Sequence, residues 1–293
     1  MQWRKERKAK TKDLSFAPPT VEPDAGWLRS NRTVPSLTFI GHATFLIQLG
    51  GLNIVTDPVW ARRMGFEPRL SPPGIALADV PPIDVVLISH GHYDHLDLRS
   101  LRRLPGDFTA LVPEGLAAWF RRRGFRRVRE LAWWEETTVG GVLFGFVPAK
   151  HWTRRTLWDT NTSHWGGWVM RHGGDCLYFA GDSGYDPAFA EIGGKYRDIR
   201  VALLPIGAYE PEWFMRDSHM APEQAVQTYL DVGADIFVPM HYGAFRLADD
   251  TPKEALDRLY ADWRRRGLPE EKLWVDPLGK TRLWSAGETT IME

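Results

Sequence analysis

The chain is poor in cysteine, carries no surplus of charge and contains no long apolar run. Its single cysteine, Cys176, excludes an intramolecular disulfide. Because 37 lysine and arginine residues balance 37 aspartate and glutamate residues, no overall field attracts nucleic acid, and we expect no nucleic-acid partner. No apolar run reaches the roughly 18 residues of a membrane-spanning helix, and no hydrophobic signal segment follows the basic start at residues 1–8. These absences predict a cytoplasmic protein whose contact with a membrane, if any, is peripheral.

The chain also lacks internal repeats, low-complexity segments and a linker in its middle. With 293 residues and 43% hydrophobic content, it is long enough to bury a large core as one domain. The basic start and the prolines at 18, 19 and 23 indicate that residues 1–33 form an extended N-terminal arm. We therefore predict one domain over residues 34–293.

Four side chains that commonly bind metals occur within six residues. His90, His92, Asp94 and His95 come directly after the apolar run 85–88, which is typical of a buried strand. A strand that ends here would direct three imidazoles and a carboxylate from one loop toward one point, as a divalent cation requires. Solvated loop histidines are the alternative, but three histidines in six residues at a strand end disfavour it.

Three further polar residues stand at the ends of strand-like runs: His151, Asp182 and His241. Each of them alone would more often be an ordinary loop or capping residue. The repetition of one pattern beside the first histidine cluster indicates that they complete the coordination of metal ions.

These residues together resemble the His-x-His-x-Asp-His motif and the later ligands of the metallo-β-lactamase superfamily. The resemblance implies an α/β protein, an αββα sandwich of two mixed sheets with external helices. It also implies two metal ions. One would be bound by His90, His92 and His151, the other by Asp94, His95 and His241, with Asp182 bridging them.

Within the superfamily, residues 36–247 resemble N-acyl-phosphatidylethanolamine-hydrolysing phospholipase D and its bacterial relatives. The segments that carry this resemblance are 41–44, 56–58, 81–84, 148–152, 179–185 and 205–211. It implies a phosphodiesterase that acts on a phospholipid, and it places a substrate-site histidine at His219. From the sequence alone, His219 would more often cap the helix predicted to begin at Pro222.

Two close cations would lower the pKa of a shared water far below its value in bulk, toward about 7, which predicts a hydrolase. Five imidazoles and two carboxylates suit Zn²⁺, with Mn²⁺ or Fe²⁺ as alternatives. We expect the catalytic residues to be Asp94, Asp182 and His219, the last as a donor to the phosphoryl group or the leaving oxygen.

Other residues near the motifs have two interpretations each. Asp57 and Asp97 are predicted to accept the free N–H of a ligating histidine, although Asp57 fits a turn equally well. Lys150, Arg154 and Arg155 flank His151 and either complement a phosphate or form a solvated face.

Other functions use the same ligand set. In a lactonase or phosphosugar hydrolase, the same hydroxide would attack a carbonyl carbon. A second alternative is a protein that binds metal but catalyses no reaction. We expect a small-molecule or phospholipid substrate, and the sequence leaves a homo-oligomer open.

The secondary structure is predicted from periodicity and from turn and capping residues. Strands are expected at 36–40, 43–47 and 52–56, and helices at 114–123, 222–232 and from Thr251 to Gly267.

Overall fold

The computed structural model of the protein describes residues 13–284, so the basic start at residues 1–8 lies outside them. The strands are β1 (Ser36–Gly41), β2 (Thr44–Leu49), β3 (Leu52–Thr56), β4 (Arg63–Met64), β5 (Glu67–Pro68), β6 (Val85–Leu87), β7 (Thr109–Pro113), β8 (Val128–Leu131), β9 (Glu136–Val139), β10 (Val142–Pro148), β11 (Gly166–His172), β12 (Asp175–Phe179), β13 (Val201–Pro205), β14 (Ile236–Met240) and β15 (Thr281–Leu283). The helices are α1 (Ala25–Ser30), α2 (Leu98–Leu101), α3 (Ala117–Arg121), α4 (Ala188–Lys195), α5 (Glu212–Met215), α6 (Pro222–Asp231) and α7 (Pro252–Arg265), and a 3₁₀ turn covers Glu270–Lys272.

One sheet has seven strands in the order β15-β1-β2-β3-β6-β7-β8. The first three predicted strands are confirmed as β1, β2 and β3, which pair antiparallel in sequence order as a meander. From β3 onward the pairing is parallel. Strand β6 lies between β3 and β7, away from the edges of this sheet, and is fully buried, as the unbroken apolar run in the sequence predicts.

The second sheet has six strands in the order β14-β13-β12-β11-β10-β9. Strands β12, β13 and β14 are parallel to one another. Strand β11 is antiparallel to both β10 and β12, so β10 runs in the same direction as β12. The carboxyl ends of β10, β12 and β14 therefore lie at one edge of the sheet, and each of these ends leads into a predicted metal ligand.

The two sheets pack face to face with helices outside, so the predicted αββα sandwich is confirmed. Side chains of both sheets form the central core, among them Phe45 and Phe144. A second core lies on the outer face of the seven-stranded sheet, where Phe120 of α3 belongs to the same cluster as Val86. Burial of these apolar surfaces is the main stabilising contribution to such a fold.

Hydrogen bonds connect the two sheets directly beside the His90 loop. The Trp168 indole N–H donates to the Ile88 carbonyl at 2.8 Å, and the Gly166 N–H donates to the Ser89 carbonyl at 3.0 Å. Gly181 has φ +63°, and a Cβ there would lie 2.6 Å from the Cβ of Ser89. Only glycine fits this position, which lets the segment before Asp182 lie directly against the His90 loop.

The prediction of a wholly extended N-terminal arm is wrong for residues 25–30, which form helix α1. The Asp24 carboxylate caps this helix by accepting from the Trp27 N–H at 2.8 Å. Leu28 is fully buried in the outer core, and its carbonyl accepts from the Gln48 amide. The periodic signal of six residues beside several prolines was too short to predict a helix.

The predicted later helices are confirmed at α6 and α7. Thr251 caps α7 by accepting from the Glu254 N–H at 3.2 Å. The helix predicted over 114–123 is shorter, since α3 covers only Ala117–Arg121, and Gly124 follows with φ +93°. No helix within residues 13–284 is long and apolar enough to cross a membrane.

Candidate metal centre

The first predicted ligand group is brought together by the His90 loop after β6 and by His151 after β10. His90 Nε2 lies 2.9 Å from His92 Nδ1, which lies 3.2 Å from His151 Nε2. Three imidazole nitrogens thus converge from two strand ends, one from each sheet, and all three could contact a single ion.

The second predicted group lies next to the first. Asp94 Oδ2 is 3.3 Å from His95 Nε2 and 3.4 Å from His241 Nε2. His241 follows β14 and reaches the His90 loop from the opposite sheet. The loop and β14 therefore supply one carboxylate and two imidazoles at a second point.

Asp182, which follows β12, stands between the two groups. Its Oδ2 is 3.1 Å from the Nε2 atoms of both His95 and His241, and 4.0 Å from His151 Nε2. Its Oδ1 is buried and has no hydrogen-bond partner. This position fits the predicted bridging role, because one carboxylate faces both ligand groups.

The electrostatics of the cluster favour additional positive charge. Burial alone would lower the pKa of His95, but the charges of Asp182, Asp94 and Asp57 raise it well above its usual range. Burial likewise opposes protonation of His241, yet Asp182 and Asp94 raise its pKa to about 9. Without a cation, these two imidazoles take up protons in its place.

The residues present therefore fit divalent cations. The Nε2 atoms of His95 and His241 are buried and form no hydrogen bond. The Asp182 carboxylate lies 3.1 Å from each, but not at an angle that allows a hydrogen bond. Buried polar atoms without partners are costly, and coordination to an ion would satisfy them. The His and Asp clusters are thus able to bind metal, whereas the role of each residue stays a prediction.

Asp57 supports the ligands from behind. Its Oδ2 accepts from His95 Nδ1 at 2.6 Å and from the Ser89 hydroxyl at 2.5 Å, and its Oδ1 accepts from the Ser89 N–H at 2.7 Å. The Ser89 oxygen in turn lies 2.9 Å from His90 Nδ1. These contacts place the Nδ1 protons outward, so that the Nε2 lone pairs of both histidines face the centre.

His42 belongs to the cluster and was missed by the ligand prediction. In the turn between β1 and β2, its Nε2 lies 3.0 Å from Asp94 Oδ2, and its carbonyl accepts from the His241 N–H at 2.9 Å. Burial and the charge of His241 lower the pKa of His42 to about 3, so its neutral ring can donate to Asp94. The available signal was a lone histidine after a glycine between two apolar strands.

His219 lies within the cluster and does not cap a helix. Its ring stands 5.0 Å from that of His151 and 5.4 Å from that of His241, and its Nδ1 is 3.8 Å from Asp182 Oδ2. The N-cap of α6 is Ala221 instead. Burial lowers the pKa of His219 to about 4, so the imidazole is neutral at pH 7.

The prediction for Asp97 is wrong. Its carboxylate accepts from the N–H groups of Arg99 and Ser100 and from the Ser100 hydroxyl, so it caps α2 and supports no ligand. A loop aspartate directly before a helical turn gives the same sequence signal as a ligand support. The two roles differ only in three dimensions.

The basic residues beside His151 have different environments. Lys150 is half exposed and forms an ion pair with Asp217 at 3.0 Å. Arg155 Nη1 donates to the carbonyls of Gly91 at 2.7 Å and Leu96 at 3.0 Å, so this side chain braces the loop that carries the predicted ligands.

Residues 52–242 match the family described as Beta-lactamase superfamily domain. The N-acyl-phosphatidylethanolamine-hydrolyzing phospholipase D 1 of Caenorhabditis elegans is 38% identical, over 71% of this chain and 64% of that protein. The mitochondrial protein of the corresponding name from Saccharomyces cerevisiae is 34% identical, over 83% and 55%. An uncharacterized protein of Mycobacterium tuberculosis is 38% identical, over 85% and 70%. The chain thus spans less than two thirds of either phospholipase.

Two solved structures share the fold. A metallo hydrolase from the archaeon Ignicoccus hospitalis has a TM-score of 0.67 and 25% identity, over 86% of this chain and 99% of that one. An isothiocyanate hydrolase from Delia radicum gut bacteria has a TM-score of 0.69 and 21% identity, over 86% and 99%.

Proposed function

Because the chain belongs to the metallo-β-lactamase superfamily and is a metal-dependent hydrolase of that fold, we propose that it is a phosphodiesterase of the phospholipase D type. Its substrates would be phospholipids like N-acyl-phosphatidylethanolamine. The observation that carries this proposal is the position of Asp182 Oδ2 between two ligand groups. The similarity to phospholipases of 38% and 34% identity supports the substrate class.

Two divalent cations, zinc first and manganese or iron as alternatives, would be held by the seven predicted ligands. When bound, such a pair supplies a hydroxide nucleophile at neutral pH and neutralises charge on the phosphoryl oxygens. Asp94 would be oriented by the N–H of His42, and His95 by the carboxylate of Asp57.

His219 would act on the substrate and not on the metals. Its ring is neutral at pH 7, so it would donate a hydrogen bond from a ring N–H and not a proton from an imidazolium. The acceptor would be a phosphoryl oxygen or the leaving oxygen. Such a donor stabilises the transition state more than the ground state, because charge develops on these oxygens during the reaction.

Exposed aromatic residues support an amphipathic substrate. Trp152 directly follows His151, is 37% exposed, and its ring lies 4.6 Å from that of His92. Trp213 and Phe214 in α5 are 65% and 67% exposed and precede His219 by a few residues. Aromatic side chains of this kind favour acyl chains and the interfacial region of a bilayer, which suits peripheral membrane contact.

The test is a parallel assay of the metal-loaded protein on N-acyl-phosphatidylethanolamine vesicles, a soluble phosphodiester, a lactone and a thioester. We expect about two divalent ions per chain by mass spectrometry and turnover of the diesters, with release of N-acylethanolamine from the lipid. Turnover of only the lactone or thioester would favour the alternative carbonyl hydrolase. Inertness on every substrate with both ions present would indicate a metal-binding protein without catalysis.

A further inference from the structure

A cavity of about 270 Å³ shares a wall with the metal-ligand loop but contains none of the predicted ligands. Gly91 lines it from the loop, Trp119 from α3, and Thr153 from the segment after His151. We call it the arginine cavity, because four arginines line it: Arg122, Arg123, Arg154 and Arg155.

None of these arginines forms a side-chain ion pair in the described part of the chain, although the charges of Asp159 and Asp97 act on Arg155. Within residues 13–284, no guanidinium nitrogen of the four lies within 4.0 Å of a carboxylate oxygen. Asp159 is the only carboxylate among the lining residues, and its Oδ1 already accepts from the N–H groups of Arg155 and Thr156 at 2.9 and 2.7 Å. The cavity therefore concentrates positive charge in a protein whose formal net charge is zero.

The guanidinium groups are held in place but retain free donors. Trp119 lies between two of them, with its ring centroid 4.0 Å from Arg123 and 4.9 Å from Arg155. Arg155 uses Nη1 for the loop carbonyls, and its Nε and Nη2 have no acceptor in the described part of the chain. The guanidinium groups of Arg122 and Arg154 donate to no acceptor there either, so several side-chain N–H groups are available to a ligand.

We propose that the arginine cavity binds a phosphate-bearing anion, as a soluble phosphate or as the head group of a lipid. Guanidinium forks match phosphate oxygens in bidentate geometry, and several without carboxylate partners favour a dianion over a single carboxylate. The volume is slightly below the roughly 300 Å³ at which small-molecule pockets begin, which suits a phosphate group with few further atoms. This proposal does not depend on which bond the metal centre cleaves.

The cavity would also connect the anion to the metal centre. The guanidinium of Arg155 that faces the cavity also holds the carbonyls of Gly91 and Leu96. A bound phosphate would therefore restrain the side chain that braces the ligand loop, without contacting a metal ligand.

The first experiment measures phosphate binding by calorimetry with the metal-loaded protein at fixed ionic strength. The test variant is Arg122→Gln with Arg154→Gln, because both side chains are exposed and make no hydrogen bond within residues 13–284. The matched control is Arg103→Gln with Arg121→Gln, which removes the same charge from exposed residues outside the cavity. Metal content and the thermal unfolding temperature must be the same in both variants as in the wild type. Any phosphate binding that the test variant retains is attributed to the metal centre.

We expect the wild type and the control to bind phosphate with the same affinity. In the test variant, the affinity of the binding event that depends on the cavity should fall at least about tenfold, equivalent to about 1.4 kcal/mol. A second arm uses phosphatidylcholine vesicles with and without phosphatidic acid. Arginine-dependent binding only to vesicles that contain phosphatidic acid would identify a lipid head group as the source. Equal affinities of all three proteins for both probes would overturn the proposal.

Discussion

Replacing Asp57 with asparagine removes the charge that orients two predicted ligands while leaving its size unchanged. The buried carboxylate accepts from His95 Nδ1 and twice from Ser89. An asparagine can keep the bond from the Ser89 N–H, but its NH₂ group then faces the Nδ1–H of His95. Either this buried donor loses its partner, or His95 changes tautomer and its Nε2 carries the proton.

Both outcomes weaken metal binding. An unpaired buried donor costs about 1–3 kcal/mol, and loss of such a supporting contact typically lowers metal affinity by roughly 10- to 100-fold. We therefore expect Asp57→Asn to fold and to bind zinc that much more weakly in a competition with a chromophoric chelator. Asp97→Asn is the matched control, because asparagine caps a helix as well as aspartate does and Asp97 touches no ligand.

An unchanged zinc affinity in Asp57→Asn would refute the reasoning, because it would show that His95 does not need this carboxylate to present Nε2. Equal losses in both variants would show that the measurement reports damage to the loop and not ligand orientation.

Three further predictions concern the centre itself. Asp182→Asn should keep the fold but lose activity by orders of magnitude, since a neutral amide cannot compensate the charge of two cations. The control His172→Ala, in the β11–β12 hairpin, should leave rate and metal content nearly unchanged. Similar losses in both variants would contradict the ligand assignment. His219→Ala should retain both ions in mass spectrometry and turn over about 10² to 10³ times more slowly, as expected for the loss of one hydrogen-bond donor to developing charge, with partial recovery on a substrate with a better leaving group. Loss of a metal ion would make it a ligand instead. Metal uptake at pH 7 should release at least about one proton per chain to an indicator dye, because protonated His95 and His241 must lose their protons first. For the same reason, zinc affinity should rise with pH up to the pKa of His241 near 9. A zinc affinity that is independent of pH between 7 and 9 would contradict this prediction.

The sequence predicted the parts of the site that lie at the ends of apolar runs. A run such as 85–88 fixes a buried strand, and a histidine directly after it must emerge at the sheet edge. That argument locates His90, His151 and His241 without coordinates. The direction of β10 relative to β12 follows from pairing through β11, which local patterns do not determine.

The contacts that the sequence could not predict depend on packing between distant segments. His42 reaches Asp94 only because the first hairpin folds against the loop after β6. Asp57 and Asp97 have similar local sequence signals, yet one supports His95 and the other caps α2. The arginine cavity likewise requires α3 and the segment after His151 to meet, and no spacing along the chain indicates that they do.

The hydrogen bond between the backbones of His42 and His241 has a consequence for biosynthesis. A chain made from its N-terminus exposes the His90 loop long before β14 leaves the ribosome, and until then the second ligand group lacks His241. Full metal loading is therefore a late event that requires both sheets to have met. Once bound, the ions would tie together segments far apart in sequence, and because they would bind only the folded arrangement, their binding free energy would add to the stability of the fold. Chelation after folding should accordingly release the two sheets from each other at the His90 edge before it disturbs the outer helices.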